Sequence, residues 1–235
     1  MLNIGPREIV ILSGQRTAFG TMGGALAGLT AADIAVPSAT AALEKAGVAP
    51  DEVDHVIYGN VLQTANDATL KRINRGHDFA CYADIAQRAR ALGIKVCTHL
   101  IVGLPKENKT DNLATLRQVL AVGTDGIKLH GLHIVEGSTM AKAWRAGRLP
   151  VLSLETYVDI ACDMIRMTPP QVVFHRVSSA ARRPTLLAPL WCENRWLAMT
   201  EIGRRLDRDG AQGSLLGQPF IYTKPSIGAD PQTRT

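Results

Sequence analysis

The sequence predicts an α/β fold of parallel βα units, and three observations predict it. Short β-branched apolar runs alternate along the chain with longer stretches of helical period. Helix signals stand where that alternation needs them, at Thr30 and Ser153 as caps and at Gly47 and Pro169 as stops. The composition, with 46% apolar and 20% charged residues over 235, is that of a globular domain with enough chain to bury a core. Strands separated by helices are expected to run parallel, joined by right-handed crossovers.

Taken in order, Glu8 to Ser13 (EIVILS) reads as a buried strand feeding a loop, Gly14 to Thr30, that contains Gly20, Gly23, Gly24 and Gly28. Thr30 and Asp33 have capping-box spacing, and Ala41, Ala42, Leu43 and Ala46 continue a helical face that Gly47 ends. Pro37 lies inside this stretch. An interior proline costs about 3 kcal/mol, which predicts a helix starting at the proline with the preceding turn loosely attached. Asp54 to Tyr58 completes a βαβ unit. Helices then follow at 68–73 and 79–92, a strand at 94–102, a helix at 110–122 and a strand at 126–135. Ser153 caps a helix bearing Tyr157, Val158, Ala161, Met164 and Ile165, a last strand covers 171–175, and a short helix covers 198–207 before a Gly/Pro/Ser-rich end expected to fray.

Charge divides the chain. Residues 1–61 hold three Lys/Arg and six Asp/Glu, whereas residues 62–235 hold 23 and 15. No stretch offers the roughly 18 to 20 apolar residues of a membrane span, and the first residues lack a basic flank before a cleavable apolar core, so a cytoplasmic protein is expected. Cys81, Cys97, Cys162 and Cys192 form no CxxC pair and are expected to be free thiols.

Two resemblances meet inside the chain. EIVILSGQRTAFGTMGGAL, followed by LEKAGVAPDEVDHVIYGNVLQ, resembles the N-terminus of thiolases of the acetyl-CoA acetyltransferase type over about residues 5–68. Arg16, Thr17, Gly20 and Gly24 after the first strand, with Gly59 to Gln63 after the second, match in order and spacing. From LQTANDATLKRINRGHDFACYADIAQRARALGIKVCTHLIVGLPKE onward the chain is similar to the C-terminal part of radical S-adenosylmethionine proteins of the YhcC type. IKLHGLHIVEGSTMAKAWRAGRL and SLETYVDIACDMIRMTPPQVVFHRVSSAARRPTLLAPLWCENRW carry that second likeness further, and LQTANDA satisfies both patterns. The likenesses imply a thiolase-like βαβ segment, residues 1–61, and a partial (β/α) barrel of radical S-adenosylmethionine type with its tail, residues 62–235.

Each chemistry has requirements. A thiolase needs a thiolate nucleophile, which the family presents in a context resembling CGSG, and a second cysteine with histidines for proton transfer; none of these contexts is present. The glycine loop lacks the Lys-Ser/Thr of a nucleotide loop and reads as structural. Radical S-adenosylmethionine chemistry needs three thiolates, usually CxxxCxxC, to hold a 4Fe–4S cluster. The family carries that motif in the barrel half absent here, and the expectation is no cluster in this chain.

What the resemblance leaves is the later wall of an S-adenosylmethionine pocket. It assigns cofactor contacts to Gln63 and Thr64 at a strand end and to Ile101 and Gly103 (LIVGLP) beside the adenine, Gly103 because a residue without Cβ admits a flat ligand. Among His99, His130, His133 and His175, His130 is the preferred functional one, since barrel active sites gather at strand ends. No catalytic residue and no metal ligand is assigned. The main reading is therefore a radical S-adenosylmethionine family protein short of full catalytic competence, with a grafted thiolase-like N-terminus. Two alternatives stand beside it: a thiolase-class acyltransferase, and an RNA-binding module using Arg176, Arg182, Arg183 and Arg195 with Trp191 and Trp196. The blander account of that tail, a solvated face with aromatics closing the domain, is preferred, because no nucleic-acid motif accompanies it. A small-molecule cofactor is the expected partner, with no membrane, and the oligomeric state is left open.

Overall fold

In a computed structural model, the structure describes residues 11–18, 24–26, 28–29, 31–53 and 60–217. The chain divides into two units, Met1–Val56 and Ile57–Thr235.

In the first unit the principal element is α1 (Ala31–Ala46). It runs through Pro37 rather than beginning there. Loss of one donor and a local steric clash are outweighed by helix on both sides, with Ala-rich sequence of high intrinsic propensity and Ser38 Oγ donating to the Ala35 carbonyl. Gly47 ends the helix at φ +66°, its N–H donating to the Glu44 carbonyl. The expected first strand is not formed over its described part: Ile11 to Ser13 carry no strand, and Ile11 and Leu12 are 93% and 66% exposed. A β-branched run makes a strand only where a neighbour pairs with it and covers a face. The rest of that strand, the second expected strand at 54–58 and Thr30 lie outside the described residues.

The second unit is built on four parallel strands in the order β1-β2-β3-β5: β1 (Asn60–Gln63), β2 (Cys97–Val102), β3 (Gly126–Gly131) and β5 (Val173–Arg176). Between them run α2 (Asp67–Arg72), α3 (Phe79–Ala91), α4 (Lys109–Val122) and α6 (Leu154–Arg166). Their starts follow side-chain caps: Asn66, Asp78, Asn108 and Ser153 each accept from a backbone N–H of the first turn. One sheet face is apolar. Thr98, Leu100 and Val102 of β2 with Ile127 and Leu129 of β3 bury against Leu113, Leu116 and Val119 of α4 and Tyr157, Ile160 and Met164 of α6. Cys97, His99 and Ile101, with Lys128 and His130, alternate onto the opposite face.

The stretch 126–135 is two strands instead of one. After β3, the Leu132 N–H still donates to the Val102 carbonyl, and the chain then leaves the sheet. β4 (Ile134–Val135) pairs antiparallel with β6 (Leu186–Ala188), and α5 (Thr139–Arg145), capped by Ser138, packs beside them around Ile134, Ala141, Leu149 and Ala188. The last helix, α7 (Arg195–Asp209), starts at an Asn194 cap, three residues ahead of the expected 198, and lays Ala198 and Ile202 on α6. Among the described residues no helix is long and apolar enough to cross a membrane.

Candidate functional site

Parallel strands bring their C-terminal ends to one edge of a sheet, where loops to the following helices gather side chains from distant sequence. Here the non-core face carries an imidazole cluster towards that edge. The ring centroids of His99 and His130 lie 4.5 Å apart, and those of His130 and His133 lie 5.6 Å apart. Register explains the gathering, because His99 of β2 is opposite Lys128 of β3, and Ile101 is opposite His130. His130 Nδ1–H donates to the Gly131 carbonyl at 2.8 Å, which leaves Nε2 as the acceptor of a neutral ring. His133 Nε2 is 3.4 Å from the Ser179 hydroxyl.

These rings are held neutral. Burial, then the proximity of His130, Arg176, Lys128 and Arg75, pushes His99 down to about 4. Burial and His130 bring His133 to about 4, and burial also lowers His130. His99 Nε2 is buried without a hydrogen-bond partner among the described residues, and so is Gln63 Oε1. At physiological pH the cluster is a set of uncharged proton acceptors under a positive field.

The five assigned residues divide. Ile101 and His130 share the open face as register partners. Gln63 ends β1 at φ +76° opposite Leu100. Thr64 is 1% exposed, and its hydroxyl donates to the Glu107 carboxylate at 2.7 Å, meets Thr115 Oγ1 at 3.0 Å and accepts from the Asn66 N–H. Its side chain is thus occupied in a buried network shared with α4. Gly103 has φ +92°, a backbone conformation that calls for glycine at this turn, and Leu152 Cδ1 fills the space within 2.9 Å of where a Cβ would stand. His175 lies against Gly126 instead of in the cluster, its ring filling the space a Cβ would take. The spacing of H-x30-H-x2-H could not disclose the imidazole cluster; strand register did.

The thiols do not assemble. Cys162 and Cys192 are buried, and burial raises their pKa to about 11 and about 12, which keeps them protonated. Cys97 lies on β2, burial raising its thiol as well, and Cys81 is exposed on α3. Among the described residues no three Cys, His, Asp or Glu side chains are placed to hold a metal. The basic–aromatic tail is also dispersed: Trp191 stacks on Tyr157 and donates to the Leu152 carbonyl, Arg183 pairs with Glu193, and Arg195 lies over the exposed Trp196.

Comparison with known proteins finds two family likenesses in the chain. Residues 124–208 match the radical S-adenosylmethionine C-terminal domain family, and residues 9–98 match the thiolase N-terminal domain family. Protein YhcC of Escherichia coli K12 is 62% identical over 160 residues, which are 68% of this chain and 52% of YhcC. Beta-ketothiolase BktB of Cupriavidus necator is 47% identical over 68 residues, 28% of this chain and 17% of the thiolase. The chain therefore spans about half the length of YhcC and a sixth of the thiolase. Among solved structures, the archaeal Elp3 of Methanocaldococcus infernus with its N-terminus deleted superposes with a TM-score of 0.53 at 17% identity, over 64% of this chain and 36% of that one, a likeness of fold alone. The part resembling YhcC is similar, over residues 124–208, to the C-terminal domain of radical S-adenosylmethionine proteins. It is a mixed α/β unit with a parallel sheet, as the partial barrel implied.

Proposed function

We propose that the region from residue 62 is the later, cofactor-facing half of a radical S-adenosylmethionine barrel that carries no 4Fe–4S cluster, and that the thiolase-like segment through residue 61 brings no acyl transfer with it. The observation that supports this most is the separation of parts: an imidazole-bearing open face on parallel strands, with all four thiols placed apart from any three-thiolate set. A cluster supplies an electron to the sulfonium of the cofactor. The residues present do not fit that group, and we derive no reductive step. Ile101 offers an apolar wall, Gln63 a carbonyl oxygen without a partner among the described residues and His130 a neutral acceptor, while Thr64 shapes the strand end that carries Gln63 and Gly103, packed by Leu152, turns the chain after β2. In this reading the chain binds S-adenosylmethionine weakly and does not cleave it, and it acts in the cytoplasm.

Anaerobic reconstitution with iron and sulfide tests the reading. The expected result is substoichiometric iron and no charge-transfer absorption, together with a saturable calorimetric signal on adding S-adenosylmethionine that shrinks in His130→Ala. One four-iron cluster per chain would overturn the assignment, and so would acetoacetyl-CoA cleavage abolished by Cys81→Ser.

A further inference from the structure

Among the described residues, the open sheet face holds two cations without a carboxylate partner. β2, β3 and β5 lie side by side, and their register sets His99 opposite Lys128 and Lys128 opposite Arg176, so one row across three strands reads imidazole, ammonium, guanidinium. Neighbouring strands are about 4.8 Å apart, so the row spans roughly 10 Å. His130 stands two residues further along β3, its ring against that of His99. Lys128 and Arg176 are exposed, and neither has a carboxylate partner among the described residues, whereas Lys109, Arg145, Arg183 and Arg205 are all paired. His99 Nε2, buried at the head of the row, has no hydrogen-bond partner among the described residues. Buried polar atoms in proteins are generally paired, so an unpartnered nitrogen beside two uncompensated cations marks a place for a group from outside the chain.

We propose that this row is a binding site for a phosphate group of a small-molecule ligand, which deepens the cofactor-face reading and rests on it for the orientation of the half-barrel. Two cations and two rings approach from three strands. A carboxylate has two coplanar oxygens and satisfies one fork of donors, while a tetrahedral dianion accepts from several directions at once and matches both a planar guanidinium and an ammonium point charge. The imidazoles add a proton-linked element. A dianion opposes the positive field that holds His99 neutral, so binding raises the proton affinity of His99 and His130 and turns Nε2 of His99 into a donor.

The test is nuclear magnetic resonance of the histidine rings in the full chain, titrated with inorganic phosphate at pH 7 and constant ionic strength, with acetate and chloride as separate arms. Saturable shifts of the His99 and His130 resonances with phosphate, much weaker with acetate and absent with chloride, are expected. Lys128→Gln and Arg176→Gln should each weaken phosphate binding about tenfold or more, as for loss of one charge-assisted bond, and Lys142→Gln on α5 should leave it unchanged. Equal response to acetate, a response that follows ionic strength alone, or indifference to Lys128→Gln and Arg176→Gln would each overturn the proposal. S-adenosylmethionine added to the same samples separates the two readings. Cofactor shifts without a phosphate response sink the phosphate site alone; a phosphate response without cofactor shifts sinks the cofactor assignment alone.

Discussion

His99 and His133 show how a side chain's surroundings become a dependence on pH. Both have folded-state pKa values of about 4, below the usual 6.5, because burial and neighbouring positive groups disfavour the imidazolium. A depressed histidine means that the unfolded state binds more protons between about pH 4 and 6.5. Stability is therefore fully present above that window and is lost as pH falls through it. We expect urea midpoints of the wild-type chain to drop between pH 6.5 and 4.5, and the drop to be smaller in His99→Gln and His133→Gln. An equal slope in the variants would show that carboxylate protonation alone governs acid unfolding. Residue types and strand placement already pointed to His130, and its pairing with Ile101 follows from register. The occupation of Thr64 by Glu107 and Thr115 was not legible, because the partners lie 43 and 51 residues away on another element.

At the scale of elements, hydroxyls stitch helix to sheet. Tyr82 of α3 lies 2.6 Å from the Thr98 hydroxyl of β2, which is 2.8 Å from Thr124 Oγ1, and the single Thr124 hydroxyl proton is within reach of the backbone carbonyls of Val96 and Gly126. All three side chains are buried, and burial holds the tyrosine in its phenol form. Thr98→Val keeps the volume and removes the central hydroxyl, leaving buried groups unpaired on both sides at an expected cost of about 1–3 kcal/mol. Tyr82→Phe in the same background should add less than it does alone, since both act on one network; equilibrium denaturation of the four proteins measures this. Periodicity and caps located α3 and α4 to within one residue of their ends and α6 at its start, while α6 ends at Arg166, short of the expected stop at Pro169. α5 escaped notice although Ser138 ahead of Met140, Ala141 and Trp144 was a usable signal. The break between β3 and β4 escaped as well, because KLHGLHIV is a continuous β-like run whose departure from the sheet is set by its antiparallel partner, Leu186–Ala188.

For the whole molecule, burial differs between the two units. Among the described residues up to Val53 none is buried, and Ile11, Leu12, Leu29 and Val36 remain exposed, whereas the second unit encloses a cluster from Leu62 to Ile202. A helix whose apolar face, Ile34 and Leu43 included, is only half-buried draws less stability from packing than one that lies in the core. Hydrogen exchange should thus be fast throughout Ala31–Ala46 and slow in β2, β3 and α6; protection of α1 equal to that of β3 would contradict the argument. The alternation of strands and helices, the helix caps, both family likenesses and the lack of a CxxxCxxC spacing are local properties of the sequence, since each depends on residues a few positions apart. The failure of Ile11–Ser13 to form a strand, the departure of Ile134 from the sheet and the alignment of His99, Lys128 and Arg176 depend on which strands become neighbours. Pairing of that kind is settled by packing over tens of residues, and only the tertiary structure decides it.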